Sequence, residues 1–203
     1  MAAPRPTAEV AAPTDASAEH ERRLYVGPWR VDVIRRPGVA RHVADAALAR
    51  VAARGLEAGS ATGPASVTIV LTDDAELARL NAAHLGRTGP TDVLSFPMLP
   101  PEAFPPHIGR LPGTDRHAAL SFPAPPGGRI HVGDIAISVE RAVEQAEAGR
   151  GGHTGDIRWS AADELRLLTL HGTLHLCGWD HAEEAEEAAM RALERRLLAE
   201  GGG

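Results

Sequence analysis

The sequence predicts an α+β fold, one domain in which about four strands pack with about five helices. Three observations carry that reading. Runs that alternate at period two and runs with helical spacing both occur along the chain. At 203 residues the chain fits a single domain. Its hydrophobic content of 43% is enough for a core, and an aromatic content of 3% makes that core aliphatic.

The elements follow in order. Residues 1–22 are Ala, Pro, Thr and acids, without the apolar stretch of a signal peptide. They are expected to be a disordered tail, with the domain spanning 23–200. Residues 30–34 alternate and read as a strand, broken by Pro37-Gly38. Residues 39–54 place Val39, Val43, Ala46, Ala47 and Val51 on one helical face, and Gly55 is expected to end that helix. Residues 59–64 are a turn region. Residues 66–71 are β-branched and read as a central strand. Thr72 or Asp73 can cap the next helix, and Asp73 with Glu76 fits a capping box. That helix is expected to reach about Asn81. Residues 92–96 form a short strand stopped by Pro97.

Residues 99–128 are rich in Pro and Gly and have no sustained periodicity, so they read as an insertion. A strand at 130–138 and a helix at 139–148 follow. Residues 151–155 are a second loop. Ser160 caps a further helix, with Asp163 and Glu164 in the first turn, where the helix dipole favours acids. Leu165, Leu167, Leu168, Leu170, Leu174 and Leu176 make its apolar stripe too broad for a surface helix, so it is expected to be central. Asp180 with Glu183 fits a capping box for the last helix and would fix the approach of His181.

Composition removes several functional classes. No stretch approaches the 18 or so apolar residues of a membrane span. A single cysteine, Cys177, excludes an internal disulfide and suits a reducing cytosol. It stands two residues after His175, on another side of the helix, and reads as a packed apolar residue. The net charge of −6 argues against a generic nucleic-acid binder. Much of that excess lies in residues 1–22 and 182–200, and the remainder is close to neutral.

The chemistry-bearing segment is His171-Gly172-Thr173-Leu174-His175-Leu176-Cys177-Gly178-Trp179-Asp180-His181. His171 and His175 lie roughly 40° apart around a helix and one turn apart along it. Gly178 can end the helix, so that the chain turns and His181 swings back. Three neutral imidazoles with an open fourth position are a catalytic zinc set. The offsets match the metzincin peptidase pattern, but Gly172 stands where that pattern has its general-base Glu. Proteolysis by that route lacks its proton acceptor.

This histidine run resembles the signature of the YbeY family of bacterial zinc endoribonucleases. Two further segments agree, in the family's order: Leu80-Asn81 followed by Pro90-Thr91-Asp92-Val93-Leu94-Ser95-Phe96-Pro97, and Gly133-Asp134-Ile135-Ala136-Ile137-Ser138. The resemblance covers roughly residues 23–199. It implies a small, mostly four-stranded mixed sheet and a zincin-like site holding one zinc ion on His171, His175 and His181. It implies cytoplasmic, single-strand-specific RNA cleavage in ribosomal RNA processing, with ribosomal particles and a ribosome-assembly GTPase as partners. Many members carry an Arg where this chain has Leu85, and Arg87, two residues on, is the candidate to contact phosphate in its place. Glu164 precedes His171 by two turns, so its carboxylate is a candidate to orient the site from behind the ligands. Ser95 can bond substrate or backbone. Two alternatives remain: a metzincin-like metallopeptidase, and a non-enzymatic ribosome-biogenesis factor whose zinc is structural.

Overall fold

The computed structural model describes residues 18–109, 128–148 and 159–200. The expected tail up to residue 17, residues 110–127 of the insertion and the loop at 151–155 lie outside them. Five strands form one mixed sheet: β1 His20–Val26, β2 Trp29–Arg35, β3 Ala65–Thr72, β4 Val93–Pro97 and β5 Ile130–Ser138. Their spatial order is β1-β2-β3-β5-β4. The inner pairs β2–β3 and β3–β5 are parallel, and the edge strands β1 and β4 pair antiparallel. Five helices pack with it: α1 Asp45–Ala58, α2 Asp74–Leu85, α3 Val139–Glu147, α4 Ala161–Leu176 and α5 Glu184–Ala199.

The sheet therefore has five strands where four were expected, and the tail gives way to β1 at His20, before Arg22. Both differences have one cause. The strand opens His20-Glu21-Arg22-Arg23, all exposed, so no hydrophobic alternation marks it. It is held by its ladder to β2, in register from His20 opposite Arg35 to Val26 opposite Trp29. The connection is the two-residue loop Gly27-Pro28, where Gly27 takes φ +56° as tight hairpin loops require. That dipeptide was the available signal.

One sheet face buries Val31, Val33, Val67, Ile69, Leu71, Ile135 and Ile137 in the main core with α1 and α4. The other carries a small cluster of Leu77, Leu94 and Ala136 with α2. Within α4, Leu165, Leu170, Leu174 and Leu176 are fully buried, each contributing about 1.5–3 kcal/mol relative to an exposed position. Helix α4 is thus the central helix that its broad apolar stripe implies. Asp73 caps α2 by accepting from the Glu76 backbone N–H at 2.8 Å. Ser160 and Asp163 form the capping box of α4.

Helix α1 departs from expectation at both ends. It starts at Asp45 and continues through Gly55 to Ala58. Gly55 does not end the helix; it lets α1 and α4 touch. A Cβ at 55 would lie 2.8 Å from Thr173 Cγ2 and 3.2 Å from Leu170 Cδ1. Asp45, 1% exposed, is held at the start of α1 by Arg35, whose guanidinium donates to it at 3.0 Å.

Gly55→Ala separates these roles. At an open helical site the change would stabilise by up to about 1 kcal/mol. Here overpacking is expected to destabilise by about 1–3 kcal/mol. A urea midpoint that holds or rises in the variant would show that α1 and α4 do not meet as closely as described.

Candidate metal centre

Helix α4 carries His171 and His175 one turn apart on the side facing a cleft. The helix ends as its sequence dictates. Gly178 takes φ +82°, its N–H donates to the His175 carbonyl at 3.0 Å, and the Trp179 N–H donates to the Leu174 carbonyl at 3.1 Å. This is the Schellman pattern of a glycine-terminated helix. It turns the chain so that His181 returns to the other two histidines. The candidate ligand atoms of His171, His175 and His181 lie within 4.8 Å of one another.

Hydrogen bonds fix which nitrogens face the centre. His175 Nδ1 donates to the Trp179 carbonyl at 2.8 Å, and His171 Nδ1 donates to Glu194 Oε1 at 2.8 Å. Their Nε2 atoms are left facing each other, 3.1 Å apart. Two nitrogens bound tetrahedrally to one zinc ion at about 2.0–2.1 Å would be about 3.3 Å apart, so the donor set fits a metal. Burial, aided by the neighbouring His171 and His181, pushes His175 down from 6.5 to about 3. It is therefore neutral at physiological pH, as a metal ligand must be.

The carboxylate behind the ligands is Glu194 of α5, 4% exposed, which the sequence reading did not single out. Glu164 was the expected candidate. It is buried and accepts from the Trp159 indole N–H at 2.5 Å, while both His171 nitrogens are engaged as described above. Glu194 lies 23 residues from His171 on another helix, so only its position one turn after Met190 on the buried face of α5 hinted at it. Asp180 also differs from expectation. The N-cap of α5 is Glu183, in a capping box with Glu186. Asp180 instead accepts from the His181 N–H at 2.8 Å, fixing the backbone at the third candidate ligand. Cys177 is buried, and burial pushes its thiol up to about 12. It is not part of the trio.

The cleft has a volume of about 960 Å³, and the three histidines share it with Leu85, Arg87, Ser95 and Arg191. Arg87 is exposed, just past the end of α2. Leu85 is 54% exposed at the same rim. Arg191 is ion-paired with Glu187; it too escaped the sequence reading. The Ser95 hydroxyl donates to the Gly172 carbonyl at 3.2 Å, so it bonds backbone. A Cβ at Gly172 would lie 2.7 Å from Ile135 Cγ2 and 3.1 Å from Ser95 Oγ. A peptidase glutamate has no room there.

Fold and site together define an α+β protein with an open three-imidazole candidate metal site at the end of its central helix. Residues 39–202 match the family model described as Endoribonuclease YbeY, and the chain belongs to that family. All three motif segments lie inside the match. An endoribonuclease YbeY of Roseiflexus sp. (strain RS-1) is 38% identical over 169 residues, 83% of this chain and 90% of that protein. One of Salinispora tropica is 43% identical over 155 residues, 76% of this chain and 85% of that protein.

Glu194→Ala is expected to weaken zinc binding about 10- to 100-fold by releasing the His171 ring, whereas Cys177→Ala should leave it unchanged. Chelator competition measures both, and unaltered affinity in the Glu194 variant would deny the carboxylate its orienting role. The His175 shift also sets a pH dependence. The unfolded chain takes up the proton near 6.5 and the folded chain only near 3. The stability contribution of neutral His175 is therefore present above pH 6.5 and is lost as pH falls towards about 3. Denaturant titrations of the metal-free protein across that window should show a shallower loss in His175→Gln than in the wild type.

Proposed function

We propose that this chain is a single-strand-specific, zinc-dependent endoribonuclease acting in ribosomal RNA processing, including maturation of the 16S rRNA 3′ end, and in ribosome quality control. The observation that carries the reading is the trio itself: two Nε2 atoms oriented onto one point by their Nδ1 hydrogen bonds, in a cleft that also exposes Arg87. Membership of the YbeY family, whose relatives are named endoribonucleases, supports the substrate class. Ribosomal particles and a ribosome-assembly GTPase are the proposed partners, and the cytoplasm the proposed location. No helix among the described residues is long and apolar enough to cross a membrane.

His171, His175 and His181 would hold the zinc. The metal would supply Lewis acidity, polarising a phosphoryl oxygen and lowering the pKa of water. Glu194 and the Trp179 carbonyl keep the ligand rings in the required tautomer. Arg87 sits where a guanidinium can bind phosphate oxygens in pairs and stabilise the charge that develops on them. The peptidase alternative meets the filled space at Gly172. A structural zinc would be expected to have four protein ligands, and the group found among the described residues has three.

Purified protein with measured zinc content should cleave single-stranded RNA and spare duplexes. His171→Ala should lose zinc and cleavage together. Arg87→Ala should keep zinc and lose cleavage by roughly 100-fold, the scale of removing one donor to developing charge. A cyclic phosphate on the product would assign the attack to the ribose 2′-OH, and a plain phosphate end to water. Zinc-dependent peptide cleavage without RNA cleavage would overturn the proposal.

A further inference from the structure

The metal loop is held from outside by the first residues of the Pro/Gly-rich insertion. After β4 the chain makes a 3-10 turn at Pro101–Ala103 and runs on to Gly109 against the loop 178–180. Three contacts join the segments. The His107 ring stacks on the Trp179 indole, with centroids 4.3 Å apart and planes 13° apart. The Asp180 N–H donates to the Gly109 carbonyl at 2.9 Å. Gly109 presses on the same indole so closely that a Cβ there would lie 2.1 Å from Trp179 Cε3.

These contacts fall on residues already tied to the trio. Trp179 supplies the carbonyl that accepts from His175 Nδ1. Asp180 fixes the backbone N–H of His181. One imidazole thus takes its ring orientation, and a second its backbone placement, from a loop of three residues, and the described partners of that loop outside α4 include His107 and Gly109.

We propose that His107 and Gly109 are positioning residues of the metal centre: the stack and the backbone bond hold Trp179 and Asp180 so that His175 and His181 stay on one point. The inference rests on reading the trio as a metal site, and it is independent of the reaction performed there. A flat aromatic ring at 107 is what the stack needs, so the imidazole nitrogens are not required. At position 109 the requirement is the absence of a side chain.

The test measures zinc affinity of the folded full chain by chelator competition, and the visible spectrum of the cobalt(II)-substituted protein. His107→Ala and Gly109→Val should each weaken zinc binding about 10-fold or more, the scale of losing an orienting partner, and should shift the cobalt spectrum. His107→Phe should restore affinity to within about 3-fold of wild type, because the ring contact returns. Val33→Ala, a core change in β2, is the control for stability alone. It should lower the melting temperature and leave affinity and spectrum as they are. If His107→Ala and Gly109→Val bind zinc as the wild type does, with unchanged cobalt spectra, the positioning role is overturned. Equal weakening in His107→Phe and His107→Ala overturns the stack as its basis. A wild type that binds neither metal would instead overturn the metal reading of the trio, and this inference with it.

Discussion

Helix α4 can lie where it does only because position 172 has no side chain. The space beside its Cα is filled by Ile135 of β5 and Ser95 of β4, and the Gly172 carbonyl accepts from the Ser95 hydroxyl. The central helix is therefore seated directly on the edge strand β4 and its neighbour β5. Everything else about the site follows from that seat. It holds the His171 and His175 backbone against the sheet beside the cleft. It places the end of α4 where the Schellman turn can return His181. It also occupies the position from which a metzincin-type glutamate would act. Close helix–sheet contact and that base exclude each other at this residue, so the histidine spacing is shared with peptidases while the general base is not.

A second constraint comes from α5. Glu194 is nearly fully buried and bonds the His171 ring. Burying a carboxylate is unfavourable unless it is paired or hydrogen-bonded, and the His171 N–H supplies such a bond. The same helix contributes Met190 to the core. Apolar packing thus sets the register of α5, and the register sets the ligand's tautomer. The first two candidate ligands are oriented differently: one by a carboxyl side chain from a separate helix, the other by a backbone carbonyl four residues on. Loss of the first can leave the helix intact, whereas loss of the second requires the turn itself to move.

The parts of this arrangement visible in the sequence are those written in local spacing. The histidine offsets, the β-branched run of β3, the nine residues of β5 and the Ser160 cap all involve residues close in the chain, where periodicity and capping chemistry act. The misses share the opposite property. β1 is defined by its ladder to β2 and buries little, so its charged residues resemble a tail. Gly55 and Glu194 take their meaning from Thr173 and His171, 118 and 23 residues away in the chain. Asp180 has the capping-box spacing with Glu183, but the helix starts three residues later, because Glu183 and Glu186 make a competing box of the same spacing. Where two local patterns overlap, tertiary placement of His181 selects between them.

The identity of the ligands also bears on what the cleft attracts. Three neutral imidazoles cancel none of the charge of a bound dication. The dication would offset the cleft's own acids, Asp92, Asp180, Glu187 and Glu194, which outnumber Arg87 and Arg191. A cysteine- or aspartate-rich ligand set would have spent that charge on the ligands and left the cleft acidic. That offset matters more for a phosphodiester, which brings one negative charge per linkage, than for the neutral amide of a peptide. In a chain with a net charge of −6, the positive charge offered to a nucleic acid would come from the metal together with Arg87 and Arg191 at the cleft. Attraction over such short distances acts after encounter, so it would favour tight placement of one linkage over long-range steering of a whole polymer.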